Sequence, residues 1–179
     1  MTSPFRYPDF ATPNPDLLLH FSSKGWMADF DMSTVLARQI LQDVAAKVAA
    51  KQPSTDVVSE VGECFRPDVP QDPTLSTVWE LCIFNVCKNP GFTWQIAAQA
   101  VDAYRIWAEQ EAETGIYVVI VSLRNPNIPE RQPGWYVGGM SLVENPRQGV
   151  IEGESSQASN SMSIAAEDCP LSTGSEATA

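Results

Sequence analysis

One histidine, four cysteines and twenty-two acidic residues are the raw material for chemistry in this chain of 179 residues. His20 stands alone, which removes every motif that needs two imidazoles, such as the His-Glu-x-x-His zinc site. It could still serve a Ser or Cys nucleophile as a base. However, it lies in a short apolar stretch, Leu17 to Phe21, and no nucleophile is announced. Gly139-Met140-Ser141-Leu142-Val143 is half of a nucleophile elbow and lacks the second glycine. His20 therefore reads as a structural or surface residue. Paired carboxylates can hold Mg²⁺ or run acid–base chemistry. The pairs here are Glu60 with Glu63 and Asp29 with Asp31, and in so acidic a chain such pairs arise by chance. Gly134 and Gly138-Gly139 fit no phosphate-binding loop. These residues leave any catalytic residue unknown, and the reading is no metal site and no cofactor.

The cysteines, Cys64, Cys82, Cys87 and Cys169, form no Cys-x-x-Cys pattern. If Cys82 and Cys87 share a helix, five residues apart, they point roughly 140° away from each other. They read as reduced, mostly buried thiols of a cytoplasmic protein.

The elements that would position any site centre on residues 72–115. Asp72-Pro73 is a helix-start signal. Leu75, Val78, Trp79, Cys82, Ile83, Val86 and Cys87 then fall at steps of three and four, which predicts a helix over 73–88. Asn89-Pro90-Gly91 breaks it. Thr93 caps a second predicted helix over 94–113, striped by Trp94, Ala97, Ala98, Val101, Tyr104 and Trp107. Antiparallel packing across the short connection would bring Trp79, Trp94, Tyr104 and Trp107 to one seam. As core they need no further explanation; as a site they would line a ligand pocket or partner groove. Glu109, Glu111 and Glu113 load the end of the second helix, where negative charge opposes the dipole.

A third helix is predicted over 33–51, with Leu36, Ile40, Val44 and Val48 in an i, i+4 row and several alanines. Residues 16–21 read as a short helical turn and 56–65 as a weak helix. Residues 116–121 are a continuous, mostly β-branched run, a strand buried on both faces. Residues 135–143 form a second strand interrupted by Gly138-Gly139. Asn-Pro recurs at 14, 89, 125 and 145, each time at an element boundary, as turn chemistry. The expected fold is mainly α: a small helical domain over 10–147 with at most two C-terminal strands. A proline-rich arm (1–9) precedes it, and a disordered acidic Ser/Ala-rich tail (148–179) follows.

Val78-Trp79-Glu80-Leu81, the Asn89-Pro90 break and Gln95 opening the next helix resemble small helical fungal proteins of unknown function. The resemblance spans about a quarter of the chain. It implies an all-helical fold and no known activity; the strand-like residues from Ile116 and the acidic tail depart from it.

The net charge is −11, and five of the negative charges follow Arg147, leaving −6 on residues 1–147. An acidic body with no basic cluster argues against nucleic acid and against anionic membrane surfaces. Residues 1–15 lack the apolar core of a secretory signal, and no apolar run approaches the length of a membrane span. What remains is a non-enzymatic helical module that binds a protein partner, self-associates or serves a pathway as an accessory. The alternative is a small enzyme or carrier whose Trp/Tyr-lined pocket holds an apolar metabolite.

Overall fold

The structure, a computed structural model, describes residues 8–22, 31–110, 115–117, 120–147 and 169–170. The Pro-rich arm before residue 8, the loop 23–30, Val119 and most of the tail lie outside the described residues.

Six strands form one antiparallel sheet: β1 (Phe10–Ala11), β2 (Leu18–Ser22), β4 (Glu63–Phe65), β5 (Thr77–Phe84), β7 (Ile120–Arg124) and β8 (Tyr136–Pro146). Their order is β1-β2-β7-β8-β5-β4. β3 (Asp31–Ser33) and β6 (Gly115–Tyr117) pair as a separate ribbon. Among the described residues there are two helices, α1 (Thr34–Ala49) and α2 (Trp94–Gln110). Among the described residues strand outweighs helix, 30% against 26%. This overturns the mainly α helical domain, its limit of two strands and the all-helical fold that the resemblance implied.

The largest correction is at residues 73–88. No helix forms there; Thr77–Phe84 is β5, paired to β8 along its whole length. Helix and strand templates both accept a continuous apolar run. The run is rich in β-branched and aromatic residues, Thr77, Val78, Trp79, Ile83 and Phe84, which favour a pleated surface. Buried on both faces, it shows no alternation. Two further helical expectations become strands, residues 16–21 mostly β2 and the end of 56–65 the short edge strand β4.

Helices α1 and α2 match the expected positions. Ser33 caps α1 by accepting from the Leu36 N–H at 3.3 Å. Thr93 does the same for Ile96 at the start of α2, at 3.4 Å. Ile40, Leu41, Val44 and Val48 of α1 and Ala97, Val101, Tyr104 and Trp107 of α2 are buried against Leu19, Val121, Met140, Leu142, Leu81 and Ile83 of the sheet. Arg38, near the start of α1, donates to the carbonyls of Ala108 and Glu109 at 3.0 Å each, so the helices run antiparallel. That contact also brings to the end of α2 the positive charge its own last turn lacks.

The expected strand over 116–121 is divided. Gly115–Tyr117 belongs to the ribbon, and Ile120–Arg124 is a central strand of the large sheet. The glycines at 138 and 139 do not interrupt β8. A Cβ at Gly138 would overlap the Phe92 ring on the helix side, and one at Gly139 would overlap Phe84 on the other. Each glycine lets an aromatic ring lie directly on the backbone.

The face away from the helices is buried too. Val78, Glu80, Cys82 and Phe84 of β5, Ser141, Val143 and Asn145 of β8, and Ile120 and Ser122 of β7 are all less than 9% exposed.

All four cysteines are bonded, Cys64 to Cys82 and Cys87 to Cys169, which overturns the reading of reduced thiols. Cys64 and Cys82 are direct partners in the β4–β5 register. The helical geometry that separated Cys82 from Cys87 does not apply once residue 82 lies in a strand. No helix is long and apolar enough to cross a membrane among the described residues.

Candidate functional site

Proline disfavours helix at the residue before it, and Asn or Asp can accept the N–H two residues on. Four turns here combine the two. Asn14 Oδ1 accepts from Asp16 N at 3.0 Å, Asp72 Oδ1 from Thr74 N at 2.9 Å, Asn89 Oδ1 from Gly91 N at 2.8 Å, and Asn125 Oδ1 from Asn127 N at 3.0 Å. Asn145-Pro146 is the exception: it ends β8, and the Asn145 side chain turns to Glu80.

Three of these turns meet. Asn14 lies between β1 and β2, Asn89 between β5 and α2, and Asn125 between β7 and β8, and the antiparallel topology puts all three connections at one end of the sheet. There they line a cleft of about 300 Å³, floored by Leu17, Ile96, Ile128 and Val137. A second cavity of about 380 Å³ shares Asn14 and adds Thr12, Gln99 and Asp102.

The walls are braced by the same amides. Asn14 Nδ2 donates to Gln99 Oε1 of α2 at 2.8 Å, and Asn89 Nδ2 to the Tyr136 carbonyl at 2.9 Å. Asn127 Nδ2 donates to Asp16 Oδ1 at 2.8 Å and to the Pro15 carbonyl at 3.1 Å. Beneath them Asn85, 2% exposed, donates to the carbonyls of Val58 and Asn89 and accepts from the Asn89 N–H. The Asn125 amide, after closing its turn, makes no donor bond to any described residue. Among the described residues the linings of both cavities carry Asp16 or Asp102 and no Lys, Arg or His. Asp102 is engaged by Arg105 at 2.8 Å, and that contact, with burial opposing it and Glu109 adding to it, raises the arginine above its ordinary pKa. Among the described residues the cleft offers amide donors and acceptors, some apolar floor and no positive charge.

The aromatic residues expected to share a seam do not all meet. Tyr104 and Trp107 pack together with ring centroids 5.7 Å apart, and Phe21 lies 4.4 Å from Trp107. Both are fully buried in the core between α2 and the sheet. Trp94 sits at the start of α2 against Phe65, with Lys51 5.0 Å over its ring. Trp79 lies on β5, its backbone bonded on both sides by the Gln71 side chain. None of the four lines either cavity.

His20 accepts or donates to Asp9 at 2.6 Å and faces Ser122 directly across the β2–β7 ladder. An Asp-His-Ser row of this kind suggests acyl transfer. Ser122 is only 1% exposed, so no substrate carbonyl can approach its hydroxyl. Glu60 and Glu63 diverge to separate lysines, Lys88 at 3.3 Å and Lys51 at 2.6 Å. Asp29 lies outside the described residues. Among the described residues no three metal-ligating side chains gather in one place.

The asparagines of the cleft were visible in the sequence only as turn residues; their convergence had no sequence signal. No family model, curated relative or solved structure matches the chain.

Proposed function

We propose that the chain is a non-enzymatic binding module that receives an uncharged polar loop of a protein partner in the asparagine-lined cleft. The observation that carries this reading is the convergence of three Asn-Pro turns on one cleft whose walls are held by their own amides. A site ordered before binding loses little entropy when it is filled. Amide groups satisfy backbone carbonyls and hydroxyls in either sense. Asp16 in the cleft's lining, with no Lys, Arg or His among the described lining residues, disfavours anionic ligands.

The setting is an oxidising compartment rather than the cytoplasm. Two disulfides using every cysteine support that, since cytosolic glutathione and thioredoxin keep thiols reduced. The reading of a carrier for an apolar metabolite draws no support from the aromatic core, where Tyr104 and Trp107 are filled in by neighbours.

Asn125→Asp tests the site. The carboxylate keeps the turn acceptor and deletes the amide donors. A partner captured stoichiometrically by the wild-type protein should bind the variant at least about tenfold more weakly, with an unchanged circular dichroism spectrum. Equal affinity for Asn125→Asp and for Gln99→Glu would place the interaction elsewhere.

A further inference from the structure

We propose that Lys88 and Arg131 form a basic rim beside the asparagine-lined cleft and receive an Asp or Glu carboxylate of the partner, next to the uncharged stretch that enters the cleft, an inference that rests on the binding reading above. Among the described residues, Lys88 (φ 55°) and Arg131 (φ 64°) are the two non-glycine residues with a left-handed backbone. A Cβ disfavours that conformation, which Gly, Asn or Asp ordinarily occupies. Arg131 is the third residue of the turn Pro129–Gln132, closed by the Gln132 N–H on the Pro129 carbonyl at 3.0 Å. A positive φ at that position favours glycine. Lys88 ends a turn from Asn85, its N–H bonding the Asn85 carbonyl at 3.0 Å. Both turns would form more easily with glycine. Strain of this kind gathers at functional sites, and here both strained residues are cations.

The fold brings their two loops together. Lys88 lies between β5 and α2, and Arg131 between β7 and β8. A pocket of about 160 Å³ lies between these connections, and Lys88, Asn89, Pro133, Gly134 and Tyr136 are in its lining. Arg131 is two residues before Pro133. Asn89 and Gly134 also line the cleft, so the pocket adjoins it.

The charge on this rim is available. Of the described lysines and arginines, Arg131 alone engages no carboxylate, carbonyl or ring of the chain, the adjacent Glu130 included. Its side chain is exposed. Lys88 has an ion pair with Glu60 at 3.3 Å, the two side chains 71% and 56% exposed. An exposed pair contributes little and is given up at little cost. The planar fork of an arginine matches a carboxylate. A free carboxylate would gain only an exposed contact. On a loop already seated in the cleft, the same contact needs little further ordering. A carboxylate over the rim also keeps its charge out of the lining that holds Asp16.

The test uses the full-length oxidised protein and a phage-displayed library of disulfide-closed random peptides. Peptides selected on the wild type should share an Asp or Glu at one fixed position. They should bind the double variant Lys88→Gly/Arg131→Gly at least about tenfold more weakly. Exchanging the peptide carboxylate for an amide should weaken binding to the wild type by a similar factor and leave binding to the double variant unchanged. Glycine relieves both left-handed positions, so the double variant should melt no lower than the wild type. A lower melting temperature would make the two cations structural and overturn the proposal. So would selected peptides with no acidic preference, or with equal affinity for wild type and double variant. Asn125→Asp separates this proposal from the cleft reading. Peptides weakened by Asn125→Asp alone leave the cleft and remove the rim. Peptides weakened by the double variant alone support the rim and remove the cleft. A selection that returns no binder overturns both.

Discussion

Glu80 is 8% exposed, and its two oxygens are separately engaged, Oε1 by Arg66 and Oε2 by Asn145, each at 2.7 Å. A buried carboxylate left without its cation loses far more than the pair contributes. Arg66→Ala should therefore destabilise the protein by about 2–3 kcal/mol in urea titrations. Glu60→Ala, which breaks the exposed pair with Lys88, should stay within about 0.5 kcal/mol of wild type. Asp72 is the residue to follow in acid. The Thr74 hydroxyl, then the Thr74 N–H, hold its carboxyl below the ordinary value, with burial opposing and Arg147 adding a little. A folded-state value below the unfolded one means the contribution is complete above about pH 4 and is lost as pH falls through the lower folded value. Asp72→Asn keeps a turn acceptor and cannot titrate. Its denaturation midpoints should fall less steeply than the wild type's from pH 4 to pH 2.5, and parallel curves would dissociate Asp72 from the acid limb.

At the scale of elements, the sheet and helices are joined by close approaches that leave no slack. Phe92 is fully buried with its ring over Gly138. Gly138→Ala should cost about 2–3 kcal/mol by overpacking. Phe92→Leu should recover part of that loss, giving a favourable coupling energy in a double-mutant cycle. The α1–α2 pair makes a second prediction. Arg38 bonds two terminal carbonyls of a helix whose last described turn has no basic residue. Arg38→Ala should cost about 1–2 kcal/mol, with earlier hydrogen exchange at the end of α2 than at its start. The acidic residues there are opposed by a cation from another element.

For the whole molecule, the two disulfides divide the work. Cys64–Cys82 ties edge strand β4 to β5 over a separation of 18 residues, and Cys87–Cys169 closes one of 82. By loop closure, the longer one contributes about 4–5 kcal/mol and the shorter about 3 kcal/mol. Cys169→Ser should lower the melting temperature by roughly 10 °C. Intact protein should weigh four hydrogens less oxidised than reduced and take up no thiol reagent without reductant. Labelling of any cysteine in the native, unreduced protein would remove the case for an oxidising compartment.

How much of this was in the sequence differs by element. Helices α1 and α2 were legible at 33–51 and 94–113 because each has a polar face as well as an apolar one, so the period of 3.6 shows. β8 was legible from its aromatic and β-branched start, and the Asn-Pro turns from local chemistry that needs only three consecutive residues. β5 was not legible. A strand covered on both sides carries apolar residues at most positions, here Val78, Trp79 and Leu81 to Phe84, and such a run also satisfies the spacing of a helix. Everything downstream of that ambiguity waited for the tertiary structure. Cys64 can reach Cys82 only when both lie on paired strands, and Glu80 finds Arg66 and Asn145 only in that register. The sequence determined three turns of the same kind at 14, 89 and 125. Only the antiparallel order of the strands decided that they share one end of the sheet, because turn geometry is local and the meeting of turns far apart in the chain depends on strand pairing.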